Sequence, residues 1–147
     1  MNNRNKIKLQ KAVEVLKALH FKPENIMVTG SIALDIQGLM PNRIAHDVDV
    51  IIKMDEQTWR CMKLIEAIQN SDKENINNYP GSDNITIIAD NLKINIWKWS
   101  LEYDWSELKD INTGIYVATV NHIITVKKKY ARDKDIVDIY NIVKNLL

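Results

Sequence analysis

The segment His46-Asp47-Val48-Asp49-Val50-Ile51-Ile52 decides how this chain folds. Alternation at 47–50 predicts a β-strand with both aspartates on one face and Val48, Val50 and Ile52 on the other, because successive side chains leave opposite sides of a strand. The apolar flanks mark it as a buried central strand, where two carboxylates without partners are costly. Aspartates at i and i+2 lie about 6–7 Å apart along a strand. That spacing suits two carboxylates gripping hard cations, which take oxygen ligands. A solvated Asp-x-Asp face is the competing reading, and the apolar flanks weigh against it.

Upstream, the apolar run Ile26-Met27-Val28 ends at Thr29-Gly30-Ser31, which reads as a buried strand turning into a helix. Ser31 is expected to N-cap a short helix from Ile32 to Gln37, closed by Gly38. Gly30 stands seventeen residues before Asp47. A glycine lets the backbone come close to a phosphate, and the start of a helix offers N–H groups with no intrahelical acceptor. Alone, Gly-Ser is an ordinary turn; its meaning comes from the aspartate strand that follows.

Outward from this centre, residues 4–20 carry Leu9, Ala12, Val13, Leu16 and Leu19 at helical spacing, and Pro23 ends the pattern. Asp55 is expected to cap a helix over 56–69 bearing Trp59, Met62, Ile65 and Ile68. The polar stretch 70–84, with Pro80-Gly81, reads as a loop. Residues 85–89 and 92–99 form a hairpin about Asp90-Asn91, and 115–118 a short strand. Asn121 is expected to cap a helix to Tyr130, and Asp133 to open a last one whose apolar stripe is Ile136, Ile139, Tyr140, Val143 and Leu146. The order predicts one domain over 1–147 of the α+β class, an α/β sandwich with a mixed sheet and helices mainly on one face.

Twenty basic residues nearly cancel nineteen acidic ones, so no strong overall field draws the chain to nucleic acid or an anionic membrane. The clustered exception is Lys127–Lys129 with Arg132. Cys61 is the single cysteine, which excludes an intrachain disulfide and fits a reducing interior. The stretch MNNRNKIKLQ lacks the apolar core of a signal peptide, so cytoplasm is the expected location. By alternation His46 faces away from the aspartates, and His20 and His122 have no partner in sequence.

Taken together, Val28-Thr29-Gly30-Ser31-Ile32-Ala33-Leu34, Gly38-Leu39 and His46-Asp47-Val48-Asp49-Val50 resemble the signature of the nucleotidyltransferase superfamily, whose core is similar to the palm of DNA polymerase beta. The Ala-Leu after Gly-Ser and the Gly-Leu before the strand most resemble the branch containing abortive-infection toxin nucleotidyltransferases, a toxin–antitoxin setting. The run Lys127-Lys128-Lys129-Tyr130-Ala131-Arg132-Asp133-Lys134-Asp135-Ile136-Val137-Asp138-Ile139 is similar to the lysine helix and Arg-x-Lys-Asp-x-x-Asp stretch of that branch.

The resemblance implies that Asp47 and Asp49 hold Mg²⁺ bound to a nucleoside triphosphate, and that Gly30 and Ser31 contact its β- and γ-phosphates. An acceptor hydroxyl then attacks the α-phosphate and expels pyrophosphate. Two cations about 4 Å apart can stabilise the attacking and leaving oxygens of such a displacement. Lys127, Lys128 and Arg132 are candidates to reach the triphosphate, against the reading of a solvated lysine face. Lys134, Asp135 and Asp138 have surface ion pairing as their plain alternative. The family's third carboxylate falls here at Asn95, in Leu92-Lys93-Ile94-Asn95-Ile96-Trp97. An amide offers one oxygen to a metal but cannot take a proton, which leaves Glu102 or Asp104 as the base, or a domain that binds without turnover. Trp97 is a candidate stacking platform for a base, with packing as the alternative; for Trp99 packing is the preferred reading. The acceptor (small molecule, tRNA or protein) stays open, and the short chain suggests a homodimer or a partner chain completing the site.

Overall fold

The computed structural model describes residues 1–40, 43–70 and 83–146, so most of the loop expected over 70–84 lies outside the described residues. Among them are five α-helices and one five-stranded mixed sheet. The helices are α1 (Asn3–Ala18), α2 (Gly30–Ile36), α3 (Glu56–Gln69), α4 (Val120–Tyr130) and α5 (Asp133–Leu146). The strands are β1 (Ile26–Thr29), β2 (Val48–Ile52), β3 (Asn84–Ala89), β4 (Leu92–Lys98) and β5 (Tyr116–Val117), in the spatial order β3-β4-β2-β1-β5. The expected α+β sandwich is therefore the fold, with the aspartate strand at its centre. No helix among the described residues is long and apolar enough to cross a membrane.

Register explains the layering. Val28, Val50, Ile96 and Ile85 sit opposite one another across four strands, and all four are fully buried. Residues paired across a sheet share a face, so these build the apolar side of the sheet. From α1, Leu9, Ala12, Val13 and Leu16 join the same core, and α1 packs on β2 and β4. Asn5, fully buried on α1, is satisfied on every side: it donates to Asp35 (2.8 Å) and the Arg43 carbonyl (2.9 Å) and accepts from the Ala45 amide (2.8 Å). That knot ties α1 to the segment leading into β2.

The hairpin turn is the one the sequence implies. Asp90 and Asn91 both adopt positive φ, 51° and 63°, the conformation that matches a two-residue turn to the twist of its strands. The outer edge of β3 is covered by α3: Thr86 N donates to Glu66 (2.5 Å), and Gln69 bonds both the N–H and C=O of Ile88 at 2.9 Å. An otherwise bare strand edge is thereby blunted.

Four local expectations change. Thr29, not Ser31, occupies the N-cap of α2, without a side-chain bond, and Ser31 lies inside the first turn. The helix begins at Gly30 because that residue's φ of +66° lets the chain turn out of β1 directly. Thr119, not Asn121, caps α4, its hydroxyl accepting from His122 N at 3.3 Å. Ile68, placed on the apolar stripe of α3, is 74% exposed. The largest change concerns α5: its inward residues are Asp135, Asp138 and Ile142, while Ile136, Tyr140, Val143 and Leu146 face solvent. The aspartates turn inward because cations from α4 and from the segment before β2 wait for them there.

Candidate active site

The second face of the sheet carries a polar row. Thr29, Asp49, Asn95 and Thr86 are direct neighbours across β1, β2, β4 and β3. Their contacts follow the register. Asn95 Nδ2 donates to Asp49 Oδ1 at 2.9 Å and to Asp47 Oδ2 at 3.3 Å. On its other side Asn95 Oδ1 accepts from the Thr86 hydroxyl at 2.7 Å. Both Asn95 and Thr86 are buried, while the two aspartates are half-buried at the surface of a cleft. Asp47 lies just ahead of β2 in a bend, one residue before the strand expected to hold it, yet its carboxylate still meets Asp49's across the shared amide.

Gly30 brings the turn into this site. A Cβ built on it would overlap Asp49 Oδ2 and lie 3.3 Å from Asp49 Cγ. The aspartate thus rests directly on the backbone of the β1–α2 turn. Only glycine fits, both for that space and for the φ of +66°.

The cleft above the row has a volume of about 390 Å³. Gly30, Ser31, Asp47, Asp49, Trp97, Lys127 and Arg132 line it, joined by Arg43, Glu102, Tyr103 and Lys129. Lys128 is exposed and does not line the cleft. Glu102 lines both the cleft and a neighbouring hollow, whereas Asp104 lines the neighbouring hollow alone. His46 also lines the cleft, contrary to the side assigned by alternation, because the strand starts only at Val48 and the alternation does not extend back to it. Trp97, opposite Ile51 in the next row of the sheet, borders the cleft half-buried. Trp99 is packed edge-on against Trp105 at 6.0 Å, with Lys53 over both rings and its own Nε1 on the Tyr103 carbonyl at 3.0 Å.

Across the cleft stands a buried charge cluster. Asp138 pairs with Arg43 (2.5 Å) and Lys127 (2.8 Å); Asp135 pairs with Arg132 (2.7 Å) and lies 3.8 Å from Lys127. The two carboxylate side chains are only 1% and 7% exposed, so Asp135 and Asp138 are not the surface ion pairs of the plain reading. Burial alone would raise the Asp135 pKa. Hydrogen bonds from the Arg132 side chain and backbone, with the charges of Arg132 and Lys127, carry it below the ordinary carboxylate value instead. Ala131, at φ 48° and ψ 34°, makes the left-handed corner between α4 and α5 that lets these groups meet. His122 borders both hollows, packs edge-on to Tyr103 at 5.1 Å and has a buried Nε2 without a partner; burial lowers its pKa.

Two functional positions escaped the sequence reading. Thr86 could have been found by counting back equal distances from the Asp90-Asn91 turn, which sets it opposite Asn95. Arg43, 95 residues from Asp138, had no local signal.

No group of three or more His, Cys, Asp or Glu arranged for a metal occurs among the described residues. Asp47 and Asp49 together offer two carboxylates to the cleft, and Mg²⁺ is commonly held by one or two carboxylates with water and substrate phosphates filling the remaining positions. No family model, no curated protein and no solved structure matches this chain.

Proposed function

We propose that the chain is a magnesium-dependent nucleotidyltransferase, moving a nucleoside monophosphate from a triphosphate to an acceptor hydroxyl. The observation that carries this reading is the seat of Asp49 on Gly30, with Asp47 beside it on the same amide. Two carboxylates and a close-approach backbone share one cleft, the pairing that a chelated polyphosphate requires. The likeness of the Gly-Ser and Asp-x-Asp segments to the superfamily adds the reaction class.

In this reading Asp47 and Asp49 hold the cation, the Gly30–Ser31 backbone receives phosphate, and Trp97 borders the base. Magnesium, when bound, neutralises the triphosphate and the pyrophosphate that leaves. Glu102, on the cleft, is the carboxylate placed to take the proton of the acceptor hydroxyl as its oxygen bonds to the α-phosphorus and the bond to pyrophosphate breaks. Lys127 and Arg132 line the cleft while paired with Asp138 and Asp135, and each has further N–H donors to offer a phosphate. Lys129 stands exposed at the rim of the cleft, where its interaction with Tyr103 raises its pKa. Cytoplasmic residence and a toxin–antitoxin role belong to the same reading, as does a second chain, identical or not, completing the acceptor side.

One observation favours a second reading, a nucleotide-binding or protein-interaction module with weakened turnover. The position of a third carboxylate holds Asn95, whose N–H groups face the aspartates. Thermal stabilisation by ATP with Mg²⁺, absent in Asp47→Ala/Asp49→Ala, is expected under both readings. Pyrophosphate release with candidate acceptors separates them, and Glu102→Gln should lower that release while leaving the stabilisation intact. A double aspartate variant that bound Mg·ATP as tightly as the parent would remove the site from this cleft.

A further inference from the structure

We propose that Asn95 is a two-position ligand whose amide turns over when a divalent cation enters, and that Thr86 is the positioning residue that makes both positions tenable. The inference rests on the cation reading above.

As it stands, the Asn95 amide aims its two N–H groups at Asp49 (2.9 Å) and Asp47 (3.3 Å). Those hydrogens carry partial positive charge between two carboxylates, where a cation would otherwise sit. In this orientation the amide steadies the acidic pair and competes with a metal. Turned about its terminal torsion, the same amide offers Oδ1, a hard oxygen donor of the type Mg²⁺ takes. That torsion joins sp³ to sp² carbon and is roughly two-fold, so the turned form is a normal rotamer.

The obstacle to turning a buried amide is its other end. Asn95 is only 5% exposed, and Oδ1 now accepts from Thr86 at 2.7 Å. After the turn an N–H group would face the same place, and a buried donor without an acceptor is costly. A hydroxyl is one of the few groups that solves this, because it donates or accepts by rotating its own hydrogen. Thr86 has no exposed surface, and its strand is pinned by its N–H on Glu66 at 2.5 Å, so the hydroxyl stays in place through both states. Valine has nearly the same shape and neither capacity.

The experiment is side-chain amide NMR on ¹⁵N-labelled protein titrated with Mg²⁺ alone. The Asn95 NH₂ hydrogens should show proximity to the Asp49 β-hydrogens without Mg²⁺ and to Thr86 with it. Thr86→Ser should behave as the parent. Thr86→Val should keep the folded backbone spectrum yet bind Mg²⁺ about tenfold more weakly, the usual scale for losing an outer-shell partner. Asn95→Ala should also bind more weakly, since a ligand is removed.

An amide that stays beside Asp49 at saturating Mg²⁺ overturns the proposal while leaving the cation reading in place. An Asn95→Ala variant that binds more tightly does the same, because the amide would then be a competitor only. If the Asp47 and Asp49 carboxyl carbons do not respond to Mg²⁺ at all in the parent, the cation reading fails and the switch falls with it.

Discussion

The two walls of the cleft are built by different means. The sheet wall places Thr29, Asp49, Asn95 and Thr86 by strand register alone, with each side chain on the pleat beside the next. The helix wall gathers Arg43, Lys127, Arg132, Asp135 and Asp138 from three separate segments and holds them by charge. On the sheet wall two carboxylates share one amide; on the helix wall three cations meet two carboxylates. The first arrangement is a row of hydrogen bonds along the pleat, whereas the second is a set of ion pairs close to balanced within itself. A row placed by register and a wall held by ion pairs are thus distinguishable by the contacts that build them.

The largest expected effect tests the helix wall. Asp138→Ala leaves Arg43 and Lys127 without their shared carboxylate, and should lower unfolding free energy by about 3 kcal/mol in a urea titration. Asp49→Asn on the sheet wall should change stability by less than about 1 kcal/mol, yet abolish the Mg·ATP-dependent rise in Tm. If both variants behaved alike, the contrast between the walls would be wrong.

Next comes Trp97→Ala, expected to weaken nucleotide binding by roughly 1–3 kcal/mol, the range for losing one base-stacking ring, with the response to Mg²⁺ alone unchanged. Calorimetry with ATP against Mg²⁺ alone reads the difference.

The pH dependence should separate two groups of the helix side, His122 on α4 and Asp135 on α5. The His122 pKa is lowered by burial from 6.5, so the unfolded chain binds the proton more readily than the folded one, and stability falls as pH drops below about 6.5. His122→Phe should flatten that part of the profile. Asp135 is held below 3.8, so its contribution is present above that pH and is lost only as pH falls through its lower folded value. Denaturation midpoints from pH 8 to about 3 should therefore show two separate declines. The smallest effect belongs to Lys128→Ala, expected to stay within about 0.5 kcal/mol in stability and to leave nucleotide affinity untouched.

How far the sequence carried each wall follows from its construction. Period-2 alternation around Asp49 and Asn95, and a two-residue turn that locks β3 to β4, are local signals, so the hairpin and the polar face of each strand were readable, whereas the spatial order of the strands was not. Even Thr86 was implicit in that turn. The helix wall was not readable, because its partners are distant: Arg43 reaches Asp138 across 95 residues. Apolar periodicity pointed Ile136, Tyr140 and Val143 inward. Ion pairing overrode it, and those side chains lie 57%, 67% and 44% exposed. A hydrophobic stripe reports which face could be buried; it says nothing of a rival face whose aspartates have buried cations to meet.

The left-handed corner at Ala131 has an energetic consequence of its own. A residue bearing a Cβ resists that conformation by roughly 1–2 kcal/mol, so the corner behaves as a bent spring between the last two helices, latched by the carboxylates of α5. Ala131→Gly would slacken the spring without touching the latch. Conversely, Asp138→Ala or Asp135→Ala would loosen the latch and leave the bent corner as it is.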